Sequence, residues 1–442
     1  MFIAVDDTDS PDGMCTTFLA VELIKAFPEW DLIGMPRLVR LNPAVPWKTR
    51  GNAALAINIG RGVGDGRLIG EAGGRAVRAY PRSSDEPNQA EVLERASRVV
   101  EIWAQRDDSD PGLVVVPRQP DVSLYRRAVT TIVEKEDALR AVKEAGGSCF
   151  QMNNGRGIIG AASAVAWRPV DRTYEVLTYR HRERWGTPRD VSDREIRQLD
   201  ARYPSTFNNY DEEAGRPAII PHTACPVLYG IRGDSAPELV MAMLSLISEE
   251  KESWQLFITN QGTDEHIITE WETLAPNSSY DVTGEVIKGP WTVRGGHVLI
   301  GLRANNGTEL EAAAYEPSKS FRHVVRSLRK GDRIRVLGEV REDRGTLNIE
   351  KMEVLSLAPL TIKRSNPVCR CGRHMKSIGA GQGYRCRECG TRAANPVMAP
   401  EERAIMAGWY EPPVCARRHL SKPLKRMGVP YGNSREARPT DF

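Results

Sequence analysis

The start of the chain switches abruptly between apolar and polar residues. A short apolar run at residues 2–5 leads directly into the acidic segment 6–9, Asp-Asp-Thr-Asp. From Thr16 and Thr17 onward, apolar residues recur at helical spacing as far as Phe27. This pattern predicts a buried strand, an acidic loop and an amphipathic helix, in that order.

Mixed strand and helix patterns continue along the following segments of the chain. The predicted elements are strands at 38–41, 54–59, 112–116, 161–167, 174–180, 227–231 and 254–259, helices at 91–105, 135–145 and 236–249, and a loop at 181–220. Strands and helices that alternate in this way indicate layered α/β units. From about residue 131 the order fits a ferredoxin-like unit.

The pattern becomes all-β from about residue 279. The predicted strands are 280–287, 296–303, 309–314, 333–340 and 346–355, with a helical insert at 318–329. Five short strands with one helix are typical of an OB-fold barrel, and such barrels commonly bind single-stranded nucleic acid. The predicted fold class is therefore multidomain α+β.

Charge is distributed unevenly along the 442 residues, although the net charge is only +3. Residues 361–442 contain 16 lysines and arginines against 6 aspartates and glutamates, so the rest of the chain carries −7. A basic end on a mildly acidic body indicates a polyanionic partner, or else a solvated basic tail.

The apolar runs are all too short for a membrane span, which needs roughly 18 residues. The chain also turns acidic at Asp6, directly after its first apolar residues, which is unlike a secretory signal. We therefore expect a cytoplasmic protein without a membrane partner.

The acidic segment is the first candidate site. Asp6, Asp7 and Asp9 repel one another when folded together, and hard carboxylate oxygens suit Mg²⁺. The alternative is a solvated turn in which one carboxylate caps the next helix. Thr16 and Thr17 at the predicted helix start suggest a place for a phosphate, or else a plain helix cap.

A basic, glycine-containing segment follows the strand predicted at 38–41. Its composition favours phosphate contact, because lysine and arginine supply charge and glycine permits close approach. It is not a Walker A sequence, and a basic surface turn is the alternative. The segment consists of Lys48, Thr49, Arg50, Gly51 and Asn52.

Four of the eight cysteines lie within 21 residues, which predicts a zinc ribbon rather than disulfides. They are Cys369, Cys371, Cys386 and Cys389. The first pair is one residue short of the usual spacing, so either both of its cysteines bind zinc or His374 replaces one. The remaining cysteines are interpreted as ordinary thiols. Three further histidines, His222, His266 and His419, are interpreted as structural residues.

Several stretches in this order resemble one family over nearly the whole chain. This family is the archaeal 2-agmatinylcytidine synthetases, which modify the wobble cytidine of the isoleucine tRNA with a CAU anticodon. The matching stretches are residues 6–10, 13–17, 40–43, 48–52, 155–161, 225–233, 259–264 and 416–424.

The resemblance implies a kinase-like ATP-binding domain at 1–130, a ferredoxin-like domain at 131–272, an OB-fold at 273–360, a zinc ribbon at 361–398 and a basic tail at 399–442. Matched by position, Asp6, Asp7 and Asp9 would bind metal and act in catalysis, and Thr16 would accept phosphate. The segment 48–52 would line the ATP site. Agmatine would lie near Arg156, Gly157, Ile158 and Gly160.

The implied function is an ATP-dependent ligase. ATP would phosphorylate the C2 carbonyl of the wobble cytidine, agmatine would displace the phosphate, and ATP would end as AMP. The implied cofactors are ATP, Mg²⁺ and a structural Zn²⁺. The alternative function is a non-catalytic RNA-binding protein built from an OB-fold and a zinc ribbon.

Overall fold

One mixed sheet of twelve strands carries the N-terminal part of the molecule. The computed structural model describes residues 1–9, 13–47, 51–104, 109–343, 345–400 and 402–428. The sheet order is Ser148–Gln151, Gly112–Val116, Phe2–Asp6, Ala53–Gly60, Asp31–Ile33, Arg75–Tyr80, Arg67–Ala72, Lys251–Thr259, Thr173–Arg180, Val227–Gly233 and Thr206–Phe207, with Arg37–Arg40 joining Ala53–Gly60 to Lys251–Thr259.

Hydrophobic cores cover both faces of this sheet. Along the first strand, Ile3 and Val5 belong to one core and Ala4 to the other, as strand alternation requires. The covering helices are Thr16–Ala26, Gln89–Trp103, Val122–Thr130, Lys135–Glu144, Gly157–Ala166 and Ala236–Ser245, with the shorter Asp193–Arg197 and Leu199–Arg202. The predicted strand, acidic loop and helix at the start of the chain are confirmed.

The strand predicted at 161–167 is wrong. Residues 161–166 belong to the helix Gly157–Ala166, which Trp167 caps and which packs against the strands Phe2–Asp6 and Gly112–Val116. Most of its side chains are buried, and its residues are nearly all apolar. A helix buried on every side carries no amphipathic period, so its pattern does not distinguish it from a buried strand. The segment 181–220 also contains short helices and strands rather than a plain loop.

A closed β-barrel forms the next unit. The long strand Ser278–Thr292 pairs with both Val298–Ala304 and Arg333–Val340, and Glu309–Ala314 and Leu347–Ser356 complete the ring. The helix Phe321–Arg326 lies in the predicted insert. The five predicted strands and the insert are therefore confirmed.

Small strands and turns complete the described chain. The strands are Gly62–Val63, Arg82–Ser83, Tyr210–Asp211, Arg216–Pro217, Ile267–Ile268, Thr361–Ser365, Lys376–Ser377, Tyr384–Arg385, Arg392–Ala393, Val397–Pro400 and Gly408–Tyr410. The single turns of 3-10 helix are Arg182–Arg184, Glu316–Ser318, Val414–Ala416 and Leu424–Met427. Among the described residues, no helix is long and apolar enough to cross a membrane.

Candidate active site

A cavity of about 250 Å³ opens where distant parts of the large sheet meet. Its walls combine the end of the first strand, the starts of two helices, and the strands Thr173–Arg180 and Val227–Gly233. Most of the candidate residues outside the cysteine cluster line it: Asp6, Asp7, Asp9, Thr16, Gly51, Asn52, Arg156, Gly157 and Gly160. The structure therefore brings together residues that the sequence separates by up to 154 positions.

Asp6 occupies the last position of the first strand and faces the helix Gly157–Ala166. Its carboxylate accepts the backbone N–H of Asp7 at 2.8 Å. A methyl group at Gly160 would overlap this carboxylate, and one at Gly157 would overlap the Asp6 backbone. Burial, followed by the charge of Asp7, raises the pKa of Asp6 well above its ordinary value.

Asp7 turns the chain out of the sheet, with a φ of 55°. Burial raises the pKa of its carboxyl to about 6, although the backbone N–H of Asp110 donates a hydrogen bond to it. Asp9 adds a further negative charge, and we term Asp6, Asp7 and Asp9 together the acidic corner. Crowded carboxylates with raised pKa values are stabilised by a cation, and their oxygen donors fit Mg²⁺.

Thr16 is buried at the first position of its helix, beside this acidic corner. The residue before the helix is Cys15, which makes no side-chain cap hydrogen bond, so Thr16 and Thr17 are helical residues rather than the expected cap. The Thr8 hydroxyl donates to the Thr16 hydroxyl at 3.2 Å. The first turn of a helix combines unpaired N–H groups with a positive dipole end, which suits an anion.

The basic segment is seen only in part, because Lys48, Thr49 and Arg50 lie outside the described residues. Its last two residues, Gly51 and Asn52, line the cavity. The Asn52 side chain donates to the Asn42 carbonyl at 2.9 Å and fixes the end of the loop.

Arg156 and the helix that follows it form another wall. The Arg156 guanidinium lies 3.9 Å from the ring centre of the exposed Trp47, which also lines the cavity. Gly157 and Gly160 face the cavity, but Ile158 packs in the hydrophobic core and does not line it. Ile159 lines the cavity together with these two glycines.

The cavity lining also includes three charged residues and one histidine that were not predicted as site residues: Arg40, Glu175, Arg232 and His419. Arg232 donates to the buried Glu175 at 3.0 Å. Burial lowers the pKa of Arg40 to about 10, so its guanidinium stays charged at neutral pH. Arg40, Arg232 and His419 lie within the stretches on which the family resemblance rests, so the resemblance could have identified them from the sequence. Glu175 lies outside these stretches. His266, by contrast, pairs with Glu350 at 2.9 Å, as a structural histidine does.

The four clustered cysteines form a separate site. Their sulfur atoms all lie within 4.8 Å of one another, which suits one tetrahedral zinc ion. His374 is not part of this group. The closely spaced first pair therefore contributes both of its cysteines, Cys369 and Cys371, to the cluster.

Comparisons with known proteins match this architecture. Family models match residues 2–154 (TiaS TCKD domain), 155–266 (TiaS FLD domain) and 366–405 (TiaS C-terminal zinc ribbon domain). The isoleucine tRNA 2-agmatinylcytidine synthetase TiaS of Methanosarcina acetivorans is 40% identical over 96% of this chain and 97% of its own.

Solved structures agree with these matches. A complex of TiaS with its isoleucine tRNA and ATP superposes with a TM-score of 0.84 at 37% identity, covering 98% of both chains. A complex of TiaS with the same tRNA, AMPCPP and agmatine gives a TM-score of 0.81 at 34% identity, again over 98% of both chains.

Proposed function

Since this chain belongs to the TiaS family of isoleucine tRNA 2-agmatinylcytidine synthetases, we propose that the cavity beside Asp6 is where it carries out the family's reaction. The chain is an ATP-dependent ligase that attaches agmatine to C2 of the wobble cytidine of the isoleucine tRNA. Its partners are this tRNA and agmatine.

The chemistry explains why one cavity must hold three substrates. The C2 carbonyl oxygen of cytidine is a poor leaving group, and transfer of a phosphoryl group from ATP makes it a good one. The primary amine of agmatine then attacks C2, the C2–O bond breaks, phosphate leaves and the amine loses a proton. Catalysis therefore depends on positioning and on charge neutralisation around the phosphates.

We assign Asp6, Asp7 and Asp9 to a Mg²⁺ site. Their oxygens suit this ion, and burial, followed by the neighbouring carboxylates, raises the pKa values of Asp6 and Asp7. When bound, the ion would neutralise negative charge on the phosphates. The position of Asp6 against Gly160 keeps its carboxylate at the end of the first strand.

Thr16 is our candidate phosphate acceptor. ATP ends as AMP, so it loses two phosphoryl groups. One activates C2 of cytidine, and the other needs a second acceptor, which would be a hydroxyl of the cavity that later releases the phosphate to water. The Thr16 hydroxyl lies at a helix start, where N–H groups favour an anion, and it accepts a hydrogen bond from Thr8.

We place ATP beside the segment 48–52 and agmatine beside the helix Gly157–Ala166. Agmatine is a dication, so the acidic corner next to this helix would attract it. Arg156 is positive and lies over Trp47, so we propose that it shapes the mouth of the cavity rather than binding the guanidinium of agmatine. Ile158 supports the helix from the core.

We further propose that the barrel is an OB-fold and that the strands Thr173–Arg180, Val227–Gly233 and Lys251–Thr259 belong to a ferredoxin-like domain. The N-terminal part would then be the kinase-like domain. The wobble cytidine must unstack from its neighbouring bases to enter the cavity, and binding contacts elsewhere on the tRNA must offset the free energy of unstacking. The barrel and the basic zinc ribbon would supply these contacts to the tRNA. A tRNA substrate also favours action in the cytoplasm.

The observation that carries these assignments is the shared cavity of Asp6, Thr16, Gly51 and Gly160. Purified protein with Mg²⁺, ATP, agmatine and the isoleucine tRNA should release AMP and form 2-agmatinylcytidine. A transcript with uridine at the wobble position serves as the control. Putrescine in place of agmatine tests the choice of amine.

The alternative function, a non-catalytic RNA-binding protein, makes a different prediction. In that case Asp6→Asn would change neither tRNA binding nor any reaction. We expect this variant to bind tRNA normally and to lose product formation. Full product formation by Asp6→Asn would contradict our site assignment.

A further inference from the structure

Residues 411–428, which we term the C-terminal strap, return from the zinc ribbon to the cavity. The backbone N–H of Gly262 donates to the His419 carbonyl at 2.8 Å, and that of Asp264 donates to the Leu420 carbonyl at 2.9 Å. Leu420 is buried in the same core as the helix Gly157–Ala166. The strap is therefore an integral part of the fold around the cavity.

Ion pairs hold the strap on either side of His419. Arg418 pairs with Glu350 of the barrel at 3.1 Å, and Lys422 pairs with Asp171 at 2.8 Å. Further along the strap, Arg426 pairs with Asp234 at 2.8 Å. These contacts, together with the hydrogen bond from the Lys422 backbone N–H to Asp264, fix the backbone on both sides of His419.

The His419 ring is exposed within the cavity, next to the segment proposed for ATP. A methyl group at Gly51 would lie 3.0 Å from this ring, so the glycine leaves room for it. Arg40 lies beside both residues and donates to the Gly51 carbonyl at 3.4 Å. The Arg40 guanidinium faces Glu175 and Asp9 across the cavity, and none of the described carboxylates lies within ion-pair distance of it.

We propose that His419 contacts the polyphosphate of ATP together with Arg40, so that the C-terminal strap supplies one wall of the ATP site. The proposal rests on the function assigned above and adds a residue to it. The charge of Arg40 holds the pKa of His419 well below its ordinary value, so the ring is neutral at pH 7 and retains an N–H to donate.

The test compares His419→Ala, His419→Gln and a control on the same segment, Lys425→Ala. Lys425 is exposed and pairs with Asp200 at 3.3 Å, and it does not line the cavity. For each full-length variant we would measure kcat and KM for ATP, KM for agmatine, the Kd for tRNA and the Tm.

We expect His419→Ala to lower kcat/KM for ATP by about 10- to 100-fold, as for loss of a hydrogen bond to a charged group. His419→Gln should recover most of this loss through its amide N–H, and Lys425→Ala should match the wild type. Wild-type ATP kinetics in His419→Ala, or an equal loss in Lys425→Ala, would overturn the proposal. Absence of agmatine transfer by the wild type would instead overturn the proposed function.

Discussion

The carboxylate of Asp6 lies directly against Gly160, in the space that a side chain at position 160 would occupy. This contact joins the end of the first strand to a helix that begins 151 residues later in the chain. The Asp6 carboxylate can therefore approach the helix proposed to bind agmatine only because position 160 is a glycine.

Gly160→Ala should displace the Asp6 carboxylate and lower kcat by about 100-fold or more, as misplacement by about 1 Å does. In a helix interior, alanine is more stable than glycine by about 1 kcal/mol. A lower free energy of unfolding in Gly160→Ala would therefore indicate the steric clash with the Asp6 carboxylate. Steady-state kinetics and urea unfolding would measure both effects. Gly289→Ala is the matched control, because nothing lies within 4 Å of the added methyl. Full activity of Gly160→Ala would show that the Asp6 position is unimportant.

The pKa of about 6 for Asp7 predicts a pH-dependent need for Mg²⁺. Below this pKa a proton competes with the ion for the carboxylate, so the Mg²⁺ concentration for half-maximal activity should rise as pH falls from about 7 to about 5. In Asp7→Asn this pH dependence should weaken while activity drops strongly. Mg²⁺ titrations at several pH values would measure it, and an unchanged Mg²⁺ requirement across this range would contradict the assignment.

The same raised pKa predicts a stability effect without Mg²⁺. The folded state binds this proton more tightly than the unfolded state. The stabilising contribution of Asp7 to the free energy of unfolding is therefore present below about pH 4 and is lost as pH rises through about 6. Asp7→Asn should therefore stabilise the metal-free protein at neutral pH by on the order of 1–2 kcal/mol. Urea unfolding in EDTA at neutral pH would test this, and a destabilised variant would contradict it.

Thr16 should be replaceable by serine but not by alanine. Thr16→Ser keeps the hydroxyl at the helix start, whereas Thr16→Ala removes it and leaves the helix intact. We expect the alanine variant to lose at least about tenfold in AMP formation and the serine variant to retain most of it. Mass spectrometry of protein incubated with ATP would show whether a phosphate is carried there. Equal rates for both variants would exclude a role for the hydroxyl.

Zinc removal should weaken tRNA binding and spare ATP binding. Cys386 is buried within the thiol cluster, so Cys386→Ser should release the ion and disorder the ribbon. His374→Ala is the control and should retain zinc. Elemental analysis, tRNA titrations at two salt concentrations and ATP binding would separate these effects. Loss of zinc from His374→Ala would contradict the four-cysteine assignment.

Local patterns were sufficient for the first strand, its acidic loop and the next helix. The strand is a short apolar run that ends abruptly at the aspartates, and the helix leaves an apolar period in the sequence. The same holds for the barrel strands. The helix Gly157–Ala166 was misassigned because its burial on all sides removes that period. The hairpin Arg67–Ala72 with Arg75–Tyr80 was not predicted at all.

The cavity itself followed only partly from the sequence. Asp6 and Gly51 belong to segments with unusual local composition, and these were found. Glu175 and Arg40 lie within ordinary strands, and only the pairing of distant strands turns them toward the cavity. His419 reaches it through ion pairs with residues far away along the chain.

The strap has a consequence for biosynthesis. A ribosome translates the acidic corner first and His419 only after the sheet, the barrel and the zinc ribbon have emerged. A nascent chain thus exposes its carboxylates long before the cavity is complete, and on the proposed role of the strap we expect tRNA modification to begin only after His419 has been translated. We therefore expect a product terminated before residue 411 to be inactive although it still carries the zinc ribbon.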